Sequence, residues 1–330
     1  CHHHNKYNRR AFSTCTPLDI NMKAWSVAFL VLLAALLAQV NALAMATKVL
    51  VTGAGGKTGG LVFKNLLEKE GFEAVGMVRG EKSANKLKKV VGGSISGNGK
   101  IVFGDISDPA SLETAMQGCD ALVIATSAVP KILPLSIAKV LFAKAFGKLL
   151  NLPPGRPEFK WEPNGQPELV DWIGQKNQID LAKKLKLKQV VVVSSMGGSQ
   201  ADNFLNTIGK KEDGTGGDIL LWKRKAEKYL IDSGVKYTII HPGGLIDKDG
   251  GKREVVMDID DNLLKREKRS IPRADVAEVC VQSLLCKSAI NRSIDICTNE
   301  EGEGAVTTNF DALFKGTKGN CNYKFMGNPM

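Results

Sequence analysis

The chain has 330 residues, 43% of them hydrophobic and 24% charged, with a formal net charge of +11. That length and apolar content suffice for one large core, and the charge excludes a wholly disordered or an all-membrane protein. Residues 1–21 are polar and without periodicity, and read as upstream translation or a fragment; His2 to His4 are too few for a tag or a metal site. From Met22 the order is Lys23, an uncharged run from Ala24 to Val40, then the small-residue sites Val40-Asn-Ala42 and Ala42-Leu-Ala44. This is the basic, apolar and cleavage-site order of a signal peptide. A membrane anchor is the alternative, although the run is short for a span of about 20 apolar residues. Residues 22–44 are therefore expected to be a signal peptide and 45–330 one domain, with no stable membrane span after signal removal. An internal start at Met45 would instead leave a cytoplasmic protein.

Without residues 1–44 the net charge is +8, and the lysines cluster in Lys86-Leu-Lys-Lys89, Lys183 to Lys188 and Lys223 to Lys228. With no aromatic interleaving and no recognised module, these read as solvated helix faces, and no nucleic-acid partner is expected. Cys119, Cys280, Cys286, Cys297 and Cys321 contain no Cys-x-x-Cys pair, so neither a disulfide framework nor a metal centre is expected.

Strand and helix signals alternate from Val49 onward. Strands are expected near 48–52, 73–78, 100–104, 121–125, 189–194, 237–241 and 292–297, with helices near 58–70, 109–117, 168–186 and 217–233. Asp108-Pro109 is a helix start, the aspartate capping and the proline in the first turn. The fold class is α/β, a doubly wound parallel sheet of Rossmann type. Segments 151–167 and 200–217 interrupt the alternation after strand ends and are either lids or plain surface loops; residues 243–330 are expected to cap the substrate side.

The most informative segment runs from Lys48 to Gly59, where an apolar strand passes through Thr52 into glycines 53, 56 and 59 and then a helix. Glycines serve a dinucleotide by allowing a tight turn, close approach of backbone to pyrophosphate and tight packing of helix on strand. A Walker loop is excluded because Val51 stands where its first glycine is needed. After the second strand comes Arg79 rather than an acidic residue, which suits the 2′-phosphate of NADP; Lys57 and Thr58 lie in the loop itself. Asp105 after the third strand, and Ala125 and Thr126 after the fourth, fall on the expected adenine and ribose track.

The chain resembles the atypical short-chain dehydrogenases/reductases. Within them it looks like the plant NAD(P)-binding group close to the NADPH-responsive subunit of the chloroplast inner-envelope translocon. The resemblance spans Lys48 to about Phe314 and is carried by the glycine segment together with Val170 to Asp180, Val191 to Gly198, Leu221 to Glu227 and Pro272 to Ala277. It implies that Ser195 takes the place of the catalytic serine, Lys225 that of the lysine on the nicotinamide ribose, and Asp180 that of the asparagine. Leu221 stands four residues before Lys225, where the proton-donating tyrosine is expected. An acceptor that needs no enzymic acid, such as a flavin or quinone, would remove the need for it; His241 is a second candidate donor. The acceptor space is expected between His241 to Leu245 and segment 151–167. Two functions follow: an NADPH-dependent oxidoreductase, or a non-catalytic NADP(H)-responsive regulator of an unknown protein partner. The resemblance also implies a plastid, reached through the secretory route if the signal peptide is used; outside that route the signal peptide points to the ER lumen or secretion.

Overall fold

The computed structural model of the protein describes residues 46–95, 97–150 and 157–324. The expected leader and signal peptide lie outside these residues. Among them no helix is long and apolar enough to cross a membrane.

In chain order the elements are β1 (Thr47–Thr52), α1 (Lys57–Glu68), β2 (Phe72–Val78), α2 (Glu81–Val91), β3 (Gly99–Phe103), α3 (Pro109–Met116) and β4 (Ala121–Ile124). A short excursion follows, with β5 (Lys131–Ile132), α4 (Pro134–Leu150) and β6 (Phe159–Lys160). A π-helical turn, Glu168–Ile173, opens α5 (Gly174–Lys184), and β7 (Gln189–Val193), α6 (Ile219–Asp232) and β8 (Tyr237–Pro242) complete the second half. Beyond it lie β9 (Gly244–Ile246), β10 (Val255–Asp258), β11 (Ser270–Pro272), α7 (Arg273–Leu285), β12 (Arg292–Thr298) and α8 (Phe310–Gly316).

Eight strands form one sheet in the order β3-β2-β1-β4-β7-β8-β12-β10, parallel throughout except for antiparallel β10 at the edge. Strand periodicity divides the core between the two faces of this sheet. Val49 and Val51 of β1, Val191 of β7 and Ile240 of β8 pack with Val62, Phe63 and Leu66 of α1 and Val276 and Val279 of α7. Leu50, Val190, Val192 and Ile239 point the other way, onto Leu112 and Met116 of α3, Ile179 of α5 and Leu230 of α6. Successive side chains alternate, so one strand feeds two cores. The expected Asp108 cap is present, its Oδ1 accepting from the Ala110 N–H at 3.1 Å.

Residues 243–330, expected to contribute a substrate cap, also extend the main sheet: β12 and β10 join it, and α7 lies on α1 within its core. Only the short parallel pair β9–β11 stands apart. The parallel β8–β12 pairing claims this segment because Ile294 and Ile296, buried completely, complete the apolar face. The two interrupting segments meet each other: a Cβ on Gly209 would come within 2.5 Å of Trp161 Nε1, so the turn at 209 is shaped against that indole.

Candidate functional site

The strand order reverses at β1, which has β2 on one side and β4 on the other, and the crevice at the carboxyl ends of β1 and β4 is where open α/β sheets hold ligands. Gly53 leaves β1 with φ +71°, and a Cβ there would stand 2.6 Å from the carbonyl oxygen of Ala125 at the end of β4. A Cβ on Gly59 would collide with the carbonyl of Gly53, and one on Gly55 would meet Ser83 Cβ at 2.7 Å. These glycines therefore hold the turn, the α1 N-terminus and the β4 end in contact that any side chain would break. Gly56 N–H closes the turn onto Gly53 O at 2.9 Å. Gly56 and Lys57 at the mouth are exposed, Thr58 is half-buried and Gly59 is buried. A helix start of this kind presents free N–H groups and the positive end of the helix dipole to an anion. The cradle fits a dinucleotide pyrophosphate.

The remaining cofactor candidates are placed unevenly around it. Thr52 is fully buried, and its hydroxyl donates to Gln178 Oε1 at 2.6 Å rather than facing the crevice. Gln178 Nε2 in turn reaches Thr126 Oγ1 at 3.4 Å and Gly174 O at 2.9 Å, so this buried amide ties the end of β1 to the segment after β4. Asp105 shapes its own turn, Oδ1 accepting from the N–H and hydroxyl of Ser107 at 2.9 and 2.7 Å. Arg79 is exposed directly after β2. Lys131 chiefly, with Lys160 and Arg79, holds the Glu162 carboxyl below its ordinary value, so Arg79 lies within electrostatic reach of segment 157–167. Lys57 is already engaged: its ammonium donates to Asp247 Oδ2 at 2.5 Å, and Arg273 donates to the other oxygen at 2.5 Å.

The candidates for chemistry separate further. Ser195, half-buried after β7, donates to the adjacent Met196 carbonyl at 3.1 Å. Lys225 is half-buried with its ammonium 4.7 Å from the Trp172 ring centre and 5.5 Å from that of Trp222. Among the described residues no carboxylate pairs with it. Leu221 is 46% exposed, so the tyrosine position carries an apolar side chain open to solvent. Asp180 does not face the Gln178 side of α5. Helical spacing turns it outward, where it accepts from Tyr229 Oη at 2.5 Å and Lys176 Nζ at 2.7 Å.

His241 is the clearest correction. The expectation that it faces the nicotinamide fails because its side chain has no exposed surface. Its Nε2 lies 2.9 Å from Glu227 Oε2 and beside Arg224, and its Nδ1 lies 2.9 Å from Asp295 Oδ1. Burial and Arg224 oppose its charge, yet Glu227 and Asp295 hold its pKa well above the ordinary value. Glu227 is buried too; against that burial, Arg224 and His241 keep its carboxyl below the usual range. In this structure the side chain is locked among partners that tie β8, β12 and α6 together.

One cluster was not singled out from sequence. Lys223, 5% exposed, donates to Asp171 Oδ1 at 2.7 Å, and the other oxygen of Asp171 accepts the Ala128 N–H at 3.1 Å. This buried ion pair joins α6, the π-helical turn and the segment after β4. The signal was present, since Asp171 and Gln178 fall in the Val170 to Asp180 motif and Lys223 in the Leu221 to Glu227 motif.

Comparison with known proteins agrees with this geometry. Residues 53–287 match the family model described as NAD(P)H-binding. An uncharacterized chloroplastic protein of Arabidopsis thaliana is 49% identical over 267 residues, covering 81% of this chain and 74% of its own. Sanguinarine reductase of Eschscholzia californica is 47% identical over 271 residues, covering 81% of this chain and 94% of its own. Among solved structures, one from Bacillus halodurans assigned as an NAD-dependent epimerase/dehydratase superposes with a TM-score of 0.56 at 23% identity, over 82% of this chain and 99% of that one. That likeness concerns the fold. The glycine cradle at the strand-order reversal, the family match and the two plant relatives converge: the chain belongs to the NAD(P)H-binding family and carries its Rossmann-type fold.

Proposed function

We propose that the protein is an NADPH-dependent reductase of the atypical short-chain dehydrogenase/reductase kind, acting on a small acceptor that needs no tyrosine acid. The observation that carries this reading is the cradle of Gly53, Gly55 and Gly59, closed to side chains, with exposed Arg79 after the neighbouring strand. Sanguinarine reductase, similar over nearly its whole length, supports a reductase of a small molecule. Bound NADPH would supply a hydride. Arg79 offers its planar fork of donors to a 2′-phosphate, which distinguishes NADPH from NADH. The N–H groups at the start of α1 take the pyrophosphate, and Lys57, once drawn from Asp247, adds a positive charge.

Leu221 cannot donate a proton. Tyr229 is committed to Asp180, and Tyr237 and Tyr323 are buried, so no described tyrosine replaces it. An acceptor of flavin or quinone type, whose reduced form takes its proton from water, fits this pattern. This reading takes the acceptor to bind beside Gly244 and Leu245, both of them exposed. Lys225, held over two indole faces without a carboxylate, keeps its charge available to a ribose hydroxyl. Ser195 gives up its bond to Met196 O to reach the acceptor.

Stopped-flow mixing of NADPH-loaded protein with flavins, quinones and aldehydes tests the reading, with Lys225→Ala as control. Saturable oxidation that disappears in the variant supports the reductase. Tight NADPH binding with no oxidation by any acceptor favours the second reading, an NADP(H)-responsive regulator, for which exposed Leu221 at the tyrosine position is the specific observation. The proposed compartment is the plastid, the designation carried by the Arabidopsis relative, with entry through the secretory route if residues 22–44 act as a signal; a fluorescent fusion to the intact N-terminus distinguishes this from a cytoplasmic protein.

A further inference from the structure

Three side chains from separate elements converge in the interior: His241 on β8, Asp295 on β12 and Cys321 in the segment after α8. His241 Nδ1 lies 2.9 Å from Asp295 Oδ1, and Cys321 Sγ lies 3.5 Å from each of these atoms. His241 and Asp295 are fully buried, and Cys321 is 8% exposed. Nitrogen, oxygen and sulfur therefore face one point. Tetrahedral zinc with bonds of about 2.0–2.3 Å spaces such donors about 3.3–3.6 Å apart, so only the nitrogen–oxygen edge must open, by a few tenths of an ångström.

The outer atoms of all three donors are fixed. His241 Nε2 lies 2.9 Å from Glu227 Oε2, Asp295 Oδ2 accepts the Asp261 N–H at 2.6 Å, and Cys321 Sγ accepts the Asp260 N–H at 3.5 Å. A metal-bound imidazole ordinarily gives its second N–H to a carboxylate, which turns the other nitrogen's lone pair toward the metal. Glu227 is itself held by Ser194, Arg224 and Tyr323 Oη.

We propose that His241, Asp295 and Cys321 form a binding site for a zinc-class divalent cation that fastens residues 317–324 to β8 and β12. Binding releases the Cys321 thiol proton and the His241 Nδ1 proton to solvent as the sulfur–metal and nitrogen–metal bonds form, while Nε2 keeps its proton for Glu227 and water takes the fourth position. The competing arrangement is metal-free, with a protonated His241 donating from Nε2 to Glu227 and from Nδ1 to Asp295.

Cobalt(II) replaces zinc in such sites and reports thiolate coordination by a near-ultraviolet charge-transfer band. The full chain, stripped by chelator and titrated with cobalt, is expected to show this band at one equivalent. The band is expected to vanish in Cys321→Ser and to persist when Cys1 and Cys15 are replaced by serine, which removes the leader thiols from consideration. In the unmutated protein, zinc is expected to slow alkylation of Cys321 at least tenfold while leaving the rate at Cys119 unchanged. Absence of the band in the unmutated chain, its survival in Cys321→Ser, or Cys321 alkylation indifferent to zinc would each overturn the site.

Discussion

Two regions at carboxyl ends of strands have opposite characters. At the ends of β1 and β4 the chain is lined by glycine, Gly56 and Lys57 are exposed, and the donors of the α1 N-terminus face outward. At the end of β8 the polar groups are as numerous, but Arg224, Glu227, His241 and Asp295 are buried and satisfy one another. A strand end is therefore a place for chemistry only where the fold leaves polar groups uncommitted. Saturated polar groups in a low-dielectric interior specify packing instead.

The most direct test of this contrast comes from Gly59→Val. Its side chain would strike the Gly53 carbonyl, and NADPH binding, followed by fluorescence titration, is expected to fall at least about a hundredfold, or about 2.7 kcal/mol. Retained affinity would remove the cradle from the site. Next is Lys223→Met, which strands the fully buried Asp171; thermal or urea unfolding is expected to show a loss of about 3–5 kcal/mol. Lys225→Ala, by contrast, is expected to leave the unfolding midpoint nearly unchanged while abolishing turnover, which separates the two neighbouring lysines by role. Arg79→Ala is expected to cost about 1.5–3 kcal/mol of NADPH affinity and little of NADH affinity. An unchanged ratio of the two dissociation constants would refute the 2′-phosphate assignment. The smallest effect on turnover is expected from His241→Gln: kcat within about twofold, although unfolding occurs at lower temperature, because the side chain is buried away from the crevice. A large fall in kcat at unchanged stability would return His241 to the chemistry.

Element positions follow from local pattern to the extent that packing obeys it. All seven expected strands are present within a residue or two of their expected ends, because runs such as Gln189–Val193 and Tyr237–Pro242 are mostly apolar and buried on both faces, as strands of a covered parallel sheet are. Arg273–Leu285 gives no such signal as a helix: Val276, Val279, Cys280 and Val281 are buried on several sides, so the polar stripe that marks a surface helix is missing. Glu81–Val91 buries only Ala84 and Leu87, too few to impose a visible period. Antiparallel β10 escapes because its four residues join the sheet only through β12, far along the chain.

What the sequence determined by itself is the dinucleotide cradle: a strand, a glycine turn and a helix are contiguous, and steric limits on their backbone are encoded within a dozen residues. The strand order and its reversal at β1 follow from the same alternation of apolar strand and amphipathic helix. Only the tertiary structure decided which polar side chains remain available. Lys223 and Lys225 are two residues apart, yet one is buried against Asp171 and the other lies over two indoles. His241 stands at a strand end as a catalytic group would, yet Glu227, Asp295, Cys321 and Tyr323, separated from it by 14 to 82 residues, close around it. Whether a titratable group is free or spent depends on partners brought together by long-range packing, and local spacing carries no record of them.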